Sequence, residues 1–342
     1  MTRDNLSADA VKRAGEILRA GGLVAFPTET VYGLGGDALN PKSAKKIYAA
    51  KGRPSDNPLI VHICRLEDLE RAAQNIPEDA WRVAKEFWPG PLTMILEKKE
   101  IIPDETTGGL STVAIRFPSD KIAQAVINAG GGLIAAPSAN MSGRPSTTTA
   151  GHCIDDLDGK VDMIIDGGPT EIGLESTIID FTGEVAEILR PGYITKEMLQ
   201  SLLAKVDVDR GIISSDSGIA PRAPGMKYRH YAPRGELVIV EGPQEKVIES
   251  INRLSSGQRE KGRRTGVICT NETSEHYHAD SVKSTGDKSD EEAAARELFR
   301  ILREFDDEHI DVIYSEPFLE RGIGTAIMNR LMKAAGQRII RV

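Results

Sequence analysis

Hydrophobic residues occur at two different spacings along this chain, and each spacing predicts a different kind of element. After Ser7, apolar residues three and four positions apart predict a capped helix that ends at Gly21. Asn40 and Pro41 provide a cap and a first turn for a second helix that runs through Ala50. Short uninterrupted apolar runs predict buried strands instead. These runs are 23–26, 59–63, 92–96, 112–117, 133–136, 161–166, 176–181 and 185–189.

The last part of the chain alternates strand and helix patterns, which predicts a small parallel three-layer domain. Its predicted strands are 237–240, 266–269 and 311–314. The clearest helix starts at a capping box formed by Ser289 and Glu292, and apolar residues from Leu298 to Phe305 line one face. The polar residues 271–288 predict a mobile loop.

Proline and glycine concentrate between these two parts, at residues 220–235, and this composition is typical of a linker. Residues 227–231 of that segment are too aromatic and cationic for a passive spacer, so we expect them to fold back over a pocket. A chain of 342 residues is long enough for two domains. The prediction is an α/β protein with one domain at 1–205, a linker at 206–234 and a smaller domain at 235–342.

Net charge and cysteine usage exclude several classes of protein. A net charge of −8 argues against a broad nucleic-acid surface but permits a small cationic pocket for an anionic molecule. Cys64, Cys153 and Cys269 are far apart and indicate neither a disulfide framework nor a zinc site. The charged N-terminal residues and the short apolar runs predict neither a signal peptide nor a membrane span. The expected location is the cytoplasm.

The segment KGRPSDNPLIVH, residues 51–62, contains two cations two positions apart, Lys51 and Arg53. Its prolines disfavour helix, so we expect an extended segment on which both cations point to one side. Two cations held close together repel unless an anion lies between them, which predicts a phosphate or carboxylate ligand. A solvated basic turn is the alternative.

Common catalytic and nucleotide-binding motifs are missing from the sequence. There is no GxGxxG, no GxxxxGK[ST] and no GxSxG, so an ordinary Rossmann site, a P-loop and a serine hydrolase are unsupported. Residues 321–326 fit an acetyltransferase pyrophosphate turn, a pattern that also arises by chance. His276 and His278 lie in a polar stretch, where solvated side chains are more common than metal ligands.

Cations and neutral hydrogen-bonding side chains recur at predicted strand ends and in adjacent loops. The cations are Lys51, Arg53, Arg116, Arg144 and Arg190. The neutral residues are Thr30, His62, Thr112, Ser138, Asn140, Ser146 and Ser176. A charge in a strand as apolar as that of Arg116 needs an anionic partner, either a ligand or a structural carboxylate. Such a pocket without a nucleophile suits phosphoryl or nucleotidyl transfer, in which positioning and charge neutralisation dominate.

Nine segments together resemble one known family, and they cover nearly the whole chain. They are PTETVYGLG (27–35), KGRPSDNPLIVHI (51–63), WPGPLT (88–93), VAIRFPS (113–119), APSANMSGRPSTT (136–148), ESTIID (175–180), LRPG (189–192), KYRHYAP (227–233) and GIGTAIMNRLMKAA (322–335). The family is the YrdC-type threonylcarbamoyl-AMP synthases in their longer two-domain form. The resemblance implies a twisted open mixed sheet with a central cationic cavity, followed by a smaller Rossmann-like α/β domain.

The resemblance also implies an activity. The amine of L-threonine takes up CO₂ from bicarbonate, and the carbamate attacks the α-phosphate of ATP to release pyrophosphate, with Mg²⁺ on the phosphates. The product, threonylcarbamoyl-AMP, feeds the modification of adenosine next to the tRNA anticodon. The downstream tRNA threonylcarbamoyl-transferase machinery is the implied partner, and direct tRNA binding is not required.

Site residues follow from the same resemblance. The residues that match threonine-binding positions are Thr30, His62, Arg116, Ser176 and the backbone of Ala136. Those that match or adjoin ATP-binding positions are Arg53, Asn57, Thr112, Ser138, Asn140, Ser146, Arg190 and Tyr231. Lys51 and Arg53 are the predicted catalytic residues. The planar guanidinium of Arg116 suits both oxygens of the amino-acid carboxylate.

Two other readings of a YrdC-like chain stay open at this point. A double-stranded-RNA-binding module would bind RNA in a salt-sensitive way without any need for threonine. A carbamoyl-transfer accessory domain would normally accompany cysteine pairs, which this chain lacks. For the synthase, we hypothesise that the residues after Lys205 act as a lid that shields the reactive intermediates from water.

Overall fold

The computed structural model describes residues 7–209, 230–319 and 321–342. The chain divides into two compact units, and each is described separately. Their bounds are Met1–Ser142 with Ser146–Lys227, and Gly143–Pro145 with Tyr228–Val342. The predicted domain and linker boundaries stay a prediction, and residues 210–229 of the predicted linker lie outside the described residues.

The first unit contains a large mixed sheet. Its strands are β1 (Val24–Phe26), β2 (Gly33–Asp37), β3 (Ile60–His62), β4 (Ala73–Gln74), β5 (Leu92–Lys98), β6 (Thr112–Arg116), β7 (Ile134–Ala135), β8 (Met163–Ile164), β9 (Thr177–Asp180), β10 (Ala186–Arg190) and β11 (Val206–Val208). They lie in the order β11-β10-β9-β5-β6-β3-β7-β2-β1-β8, and β4 pairs with β5. Parallel pairs such as β3–β6 alternate with antiparallel pairs such as β5–β6, which makes the sheet mixed.

Several helices of the first unit begin at a side-chain cap that the sequence supplies. The helices of this unit are α1 (Ala8–Arg19), α2 (Pro41–Lys51), α3 (Leu69–Ala72), α4 (Glu78–Phe87), α5 (Asp104–Thr107), α6 (Lys121–Ala129), α7 (Ala150–Leu157) and α8 (Lys196–Gln200). The Asn40 side chain accepts a hydrogen bond from the Lys42 amide, and Pro41 occupies the first turn, as predicted. Ser7 caps α1 in the same way.

The second unit has a five-stranded parallel sheet with helices between its strands. Its elements are β12 (Glu236–Glu241), α9 (Gln244–Arg259), β13 (Thr265–Cys269), β14 (Ser281–Ser284), α10 (Glu291–Asp307), β15 (Val312–Ser315), α11 (Gly324–Ala334) and β16 (Ile339–Arg341). The strand order is β14-β13-β15-β12-β16. The predicted fold class, a large mixed sheet followed by a smaller parallel α/β domain, is confirmed.

Two local predictions are wrong, and one strand was missed. Residues 271–288 are not a structureless loop, because they contain β14 and the buried side chains of Thr273 and Tyr277. Asp290, rather than Ser289, caps α10 by accepting a hydrogen bond from the Ala293 amide. The glycine-rich stretch after residue 32 forms strand β2, which apolar periodicity does not reveal because glycine has no side chain to count.

Candidate active site

One face of the central strands carries several of the predicted site residues. The register pairs His62 of β3 with Arg116 of β6, and Arg116 with Thr93 of β5. Alternate residues of a strand share a face, so this polar row continues into an apolar patch on the same side. The patch consists of Ile60, Ile95, Ala114, Ile178 and Leu189. The opposite face carries the main hydrophobic core, including Val61 and Ile115.

Arg116 lies at the end of β6 and is only 4% exposed. Its Nη1 donates a hydrogen bond of 2.8 Å to Thr30 Oγ1, and its Nη2 lies 2.8 Å from Glu29 Oε2. Glu29 is therefore an anionic partner of Arg116, and the assignment of Arg116 to a ligand carboxylate stays a prediction. Sequence analysis missed Glu29, although its place beside Thr30 in a hydroxyl-rich segment was a usable signal.

Local hydrogen bonds fix the loop that carries Glu29 and Thr30. Thr28 Oγ1 donates to the Val31 carbonyl at 2.7 Å and accepts from the Thr30 amide at 3.2 Å. The Ile172 amide donates to the Glu29 carbonyl at 2.9 Å. A threonine that bonds its own neighbouring backbone in this way stabilises a tight turn. The turn holds both side chains towards Arg116.

His62 is a neutral member of this group. Burial, reinforced by the Arg116 guanidinium, lowers the pKa of His62 to about 3. Its Nδ1 lies 3.1 Å from the Ile60 carbonyl, which also accepts a 2.8 Å hydrogen bond from the Ala136 amide. Ala136 is thereby fixed next to His62.

Ser176 connects the group to β10. Thr93 Oγ1 and Ser176 Oγ are 2.7 Å apart, and Thr93 lies opposite Arg116 in the sheet. Arg190 donates from Nε to the Ser176 carbonyl at 3.0 Å and from Nη2 to Ser176 Oγ at 3.1 Å. His62, Arg116, Ala136 and Ser176 therefore lie at neighbouring strand ends, and Thr30 reaches Arg116 from the turn between β1 and β2.

Lys51 lies in a second cluster. Its ammonium donates to the backbone carbonyls of Ser138 and Asn140, and Ser138 Oγ donates to Asn140 Oδ1 at 2.5 Å. Lys51 is the last residue of α2, and Gly52 ends that helix in a left-handed conformation with φ 61°. The prediction that Lys51 lies on an extended segment is wrong, because the prolines begin three residues later.

Arg53 makes a separate set of contacts. Its Nη2 donates to Asn57 Oδ1 at 2.6 Å and to the Pro58 carbonyl at 3.0 Å, and its Nε donates to the Asn57 carbonyl at 3.1 Å. The expectation that Lys51 and Arg53 share one side of a strand is also wrong, since a helix end separates them. The structure brings Arg53 and Asn57 into direct contact instead.

Ser146 and Thr112 differ in how close they lie to the threonine-binding group. Ser146 Oγ donates to the Glu175 carboxylate, and Glu175 precedes Ser176. Thr112 shares the face of Arg116 but begins β6, which places it roughly 13 Å away at 3.3 Å per residue. The apolar patch lies between these two ends of the face.

Two predicted residues belong to the second unit. Tyr231 has φ 64° and is 5% exposed, and its ring centroid lies 5.3 Å from that of Phe299. The Arg330 guanidinium lies 5.9 Å from the Tyr231 ring centroid. Arg144 lies near Asp306 of α10, with 3.6 Å between Nη2 and Oδ2. Contacts of Tyr231 and Arg144 with a ligand stay predictions.

Metal ligands do not converge within the described residues. No group of three His, Cys, Asp or Glu side chains in 7–209, 230–319 and 321–342 could hold a metal ion, and His276 and His278 are no exception. In the same parts of the chain, no helix is long and apolar enough to cross a lipid bilayer.

Comparisons with known proteins match both units. A family model described as Telomere recombination (Sua5, yciO, yrdC) matches residues 16–192, and one described as Threonylcarbamoyl-AMP synthase, C-terminal domain matches residues 194–336. The Pyrococcus abyssi threonylcarbamoyl-AMP synthase is 48% identical over 99% of this chain and 98% of its own length. The Bacillus subtilis enzyme of that name is 49% identical, over 99% and 97% respectively. The chain belongs to the threonylcarbamoyl-AMP synthase family.

A solved structure supports the same conclusion at the level of the fold. The crystal structure of Pyrococcus abyssi Sua5 complexed with L-threonine has a TM-score of 0.94 and 47% identity, and the match covers 100% of this chain and 98% of that one. The chain is therefore an enzyme that synthesises threonylcarbamoyl-AMP, in the two-domain form of the family. Among the readings that the sequence left open, family membership favours the synthase over a separate RNA-binding or accessory module.

Proposed function

We propose that this threonylcarbamoyl-AMP synthase uses L-threonine, bicarbonate or CO₂, and ATP. The neutral amine of threonine forms a bond to the carbon of CO₂ and releases a proton, while one C=O electron pair moves onto oxygen. An oxygen of the resulting carbamate attacks the α-phosphorus of ATP. The bond from that phosphorus to the β-phosphate oxygen breaks, and pyrophosphate leaves with the electron pair. Threonylcarbamoyl-AMP remains.

The observation that carries the proposal is the buried guanidinium of Arg116, which lies beside Glu29 and the hydroxyl of Thr30. Thr30 bonds it directly, while His62 and Ser176 lie on adjacent strand ends. A planar guanidinium can bind both oxygens of an amino-acid carboxylate. That a relative 47% identical over its length was crystallised with L-threonine supports this assignment.

ATP is proposed to lie along the same face and the adjoining loops. The residues of the first unit that are assigned to it are Arg53, Asn57, Thr112, Ser138, Asn140, Ser146 and Arg190. Arg190, whose guanidinium is held by two hydrogen bonds to Ser176, offers charge for a phosphate. Lys51 and Arg53 are proposed to stabilise the charge that develops on the transferring phosphate.

Mg²⁺ is proposed to arrive with the nucleotide. Mg²⁺ keeps several water ligands and commonly binds substrate phosphates rather than an all-protein cage. When bound, it would neutralise phosphate charge and favour the departure of pyrophosphate. The product is proposed to pass, in the cytoplasm, to a tRNA threonylcarbamoyl-transferase system without direct tRNA binding by this chain.

Pyrophosphate release tests the proposal. The full-length protein is incubated with ATP and Mg²⁺, and L-threonine and bicarbonate are omitted in turn. We expect release only when both are present, with L-serine a poorer substitute. Pyrophosphate release at the same rate with and without threonine, or no release under any combination, would overturn the proposed reaction.

Two substitutions separate the proposed subsites. Arg116→Ala should raise the KM for threonine more than that for ATP, whereas Arg53→Ala should lower kcat or raise the KM for ATP. Glu86→Gln, an exposed charge change on α4, is the matched control and should leave all constants unchanged. If Arg116→Ala and Arg53→Ala had the same kinetic signature, the division into two subsites would be wrong.

A further inference from the structure

Glu29 is a buried acid to which neither the family resemblance nor the proposed reaction gives a role. It lies in the turn between β1 and β2 and is 3% exposed. Its Oε2 is 2.8 Å from Nη2 of Arg116, and the side chains of Arg116 and Glu29 are only 5% and 4% exposed. The pair lies at the centre of the proposed threonine-binding group.

The hydrogen bonding of this ion pair is incomplete. Within the described parts of the chain, neither carboxylate oxygen of Glu29 accepts a hydrogen bond of good geometry, and Nε of Arg116 donates none. The contact to Arg116 satisfies the distance of an ion pair but not the angle of a hydrogen bond. A buried carboxylate normally has donors, because losing its hydration is costly.

Local hydrogen bonds anchor the turn that carries Glu29. Thr28 bonds the Val31 carbonyl, the backbone of Glu29 accepts from Ile172, and Thr30 accepts from Arg116. The Glu29 carboxylate keeps hydrogen-bond acceptor capacity, and Nε of Arg116 keeps donor capacity.

An α-amino acid zwitterion has the complementary arrangement. Its carboxylate accepts hydrogen bonds and suits the guanidinium, while its ammonium group has three N–H donors and suits a carboxylate. The lowered pKa of His62 keeps that ring uncharged, so it adds no positive charge that would repel an ammonium group.

We infer that Glu29 binds the ammonium group of the amino-acid substrate, while Arg116 binds its carboxylate. This inference rests on the proposed function, because it assigns one further contact in the threonine subsite. It makes Glu29 a determinant of specificity for a free α-amino group. Molecules with the carboxylate and hydroxyl of threonine but without its amine lack that contact.

The test compares two ligands on two proteins by isothermal titration calorimetry. The ligands are L-threonine and 3-hydroxybutyrate, which keeps the carboxylate and the β-hydroxyl but has no amine. In the wild type we expect threonine to bind at least about tenfold more tightly, as a charge-assisted contact requires. Glu29→Gln should raise the Kd for threonine at least about tenfold and change the Kd for 3-hydroxybutyrate by less than about twofold. Glu86→Gln serves as the charge-matched control.

The outcomes distinguish the possible failures. Equal weakening of both ligands by Glu29→Gln would mean that Glu29 only holds Arg116 in place, and would overturn the inference. Unchanged threonine binding would overturn it as well. If the variant fails to fold, the affinities of the wild type for threonine and 3-hydroxybutyrate still test the inference. Equal affinities would contradict a binding site for the ammonium group. Absence of threonine binding to the wild type would instead contradict the proposed function.

Discussion

At the scale of single residues, buried charges in the first unit are matched by groups from distant parts of the chain. Arg116 meets Glu29 and Thr30, and Lys51 meets the carbonyls of Ser138 and Asn140. Sequence analysis identified the charges correctly as unusual, because an isolated buried charge is costly. It could not identify the partners, since pairing depends on which loops meet in space.

Removing one member of the Glu29–Arg116 pair should destabilise the first unit strongly. Arg116→Met leaves Glu29 buried without its counter-ion, and we expect a loss of about 3–5 kcal/mol in the free energy of unfolding. Urea unfolding monitored by tryptophan fluorescence measures this loss of stability. Trp81 and Trp88 are the two tryptophans of the chain, and both lie in the first unit.

The double variant Glu29→Gln, Arg116→Met is the control for that prediction. Because it removes both charges, we expect it to lose less stability than the sum of the two single variants, by about 0.5–3 kcal/mol. Strictly additive losses would show that the two side chains are not coupled.

His62 should make the first unit sensitive to mild acid. Its pKa is about 3 when folded and 6.5 as the ordinary value, so the unfolded state binds more protons between these values. Stability is therefore present above pH 6.5 and is lost as the pH falls, by about 1.4 kcal/mol at pH 5.5 from this residue alone. His62→Gln should lack that part of the loss when urea midpoints at pH 7.5 and 5.5 are compared. The same pH dependence in both proteins would contradict the lowered pKa.

At the scale of elements, alternation and capping predict strands and helices well where side chains carry the signal. The strands predicted at 92–96 and 112–117 correspond to β5 and β6, and the helix from Pro41 begins as predicted. β2 was missed because its sequence, GLGGD, is mostly glycine. Its glycines are needed by packing, since a Cβ on Gly35 would lie 2.6 Å from the Phe26 ring. Such close approach is a tertiary property.

The residue that caps α10 differs from the one that the capping-box pattern indicated. The capping-box pattern indicated Ser289, but Asp290 accepts the hydrogen bond from the Ala293 amide, at 2.8 Å. We expect Asp290→Ala to cost about 1 kcal/mol, and Ser289→Ala to be nearly neutral. Hydrogen exchange of the first turn of α10 measures the difference. Faster exchange in Ser289→Ala than in Asp290→Ala would restore the original prediction.

At the scale of the whole molecule, the family comparisons and the two sheets describe a chain of two units. Some relatives are shorter: the Pseudomonas putida threonylcarbamoyl-AMP synthase aligns over its entire length with 55% of this chain, at 30% identity. In the first unit, β11 pairs with β10, which ends at Arg190, and Val206 of β11 is buried. The sheet therefore extends past residue 205.

Truncation tests what the later residues contribute. A chain ending at Asp209 keeps β11, whereas one ending at Lys205 loses it and should be less stable by about 1.5–3 kcal/mol, the value of one buried valine side chain. Tryptophan fluorescence in urea measures this difference. If the residues after 209 shield the intermediates from water, the longer fragment should fold but release pyrophosphate more slowly. Full activity in that fragment would refute the lid hypothesis.

The sequence by itself determined the α/β class, the main strands, the capped helices and the set of unusual charges, because periodicity and capping are local. Its resemblance to a family supplied the reaction, and the comparisons confirmed the family and its product, threonylcarbamoyl-AMP. Only the tertiary structure decided that Lys51 ends a helix, that Arg53 contacts Asn57, and that Glu29 faces Arg116. These facts depend on contacts between segments far apart in sequence. Burial and hydrogen bonding select such contacts, and no local pattern encodes them.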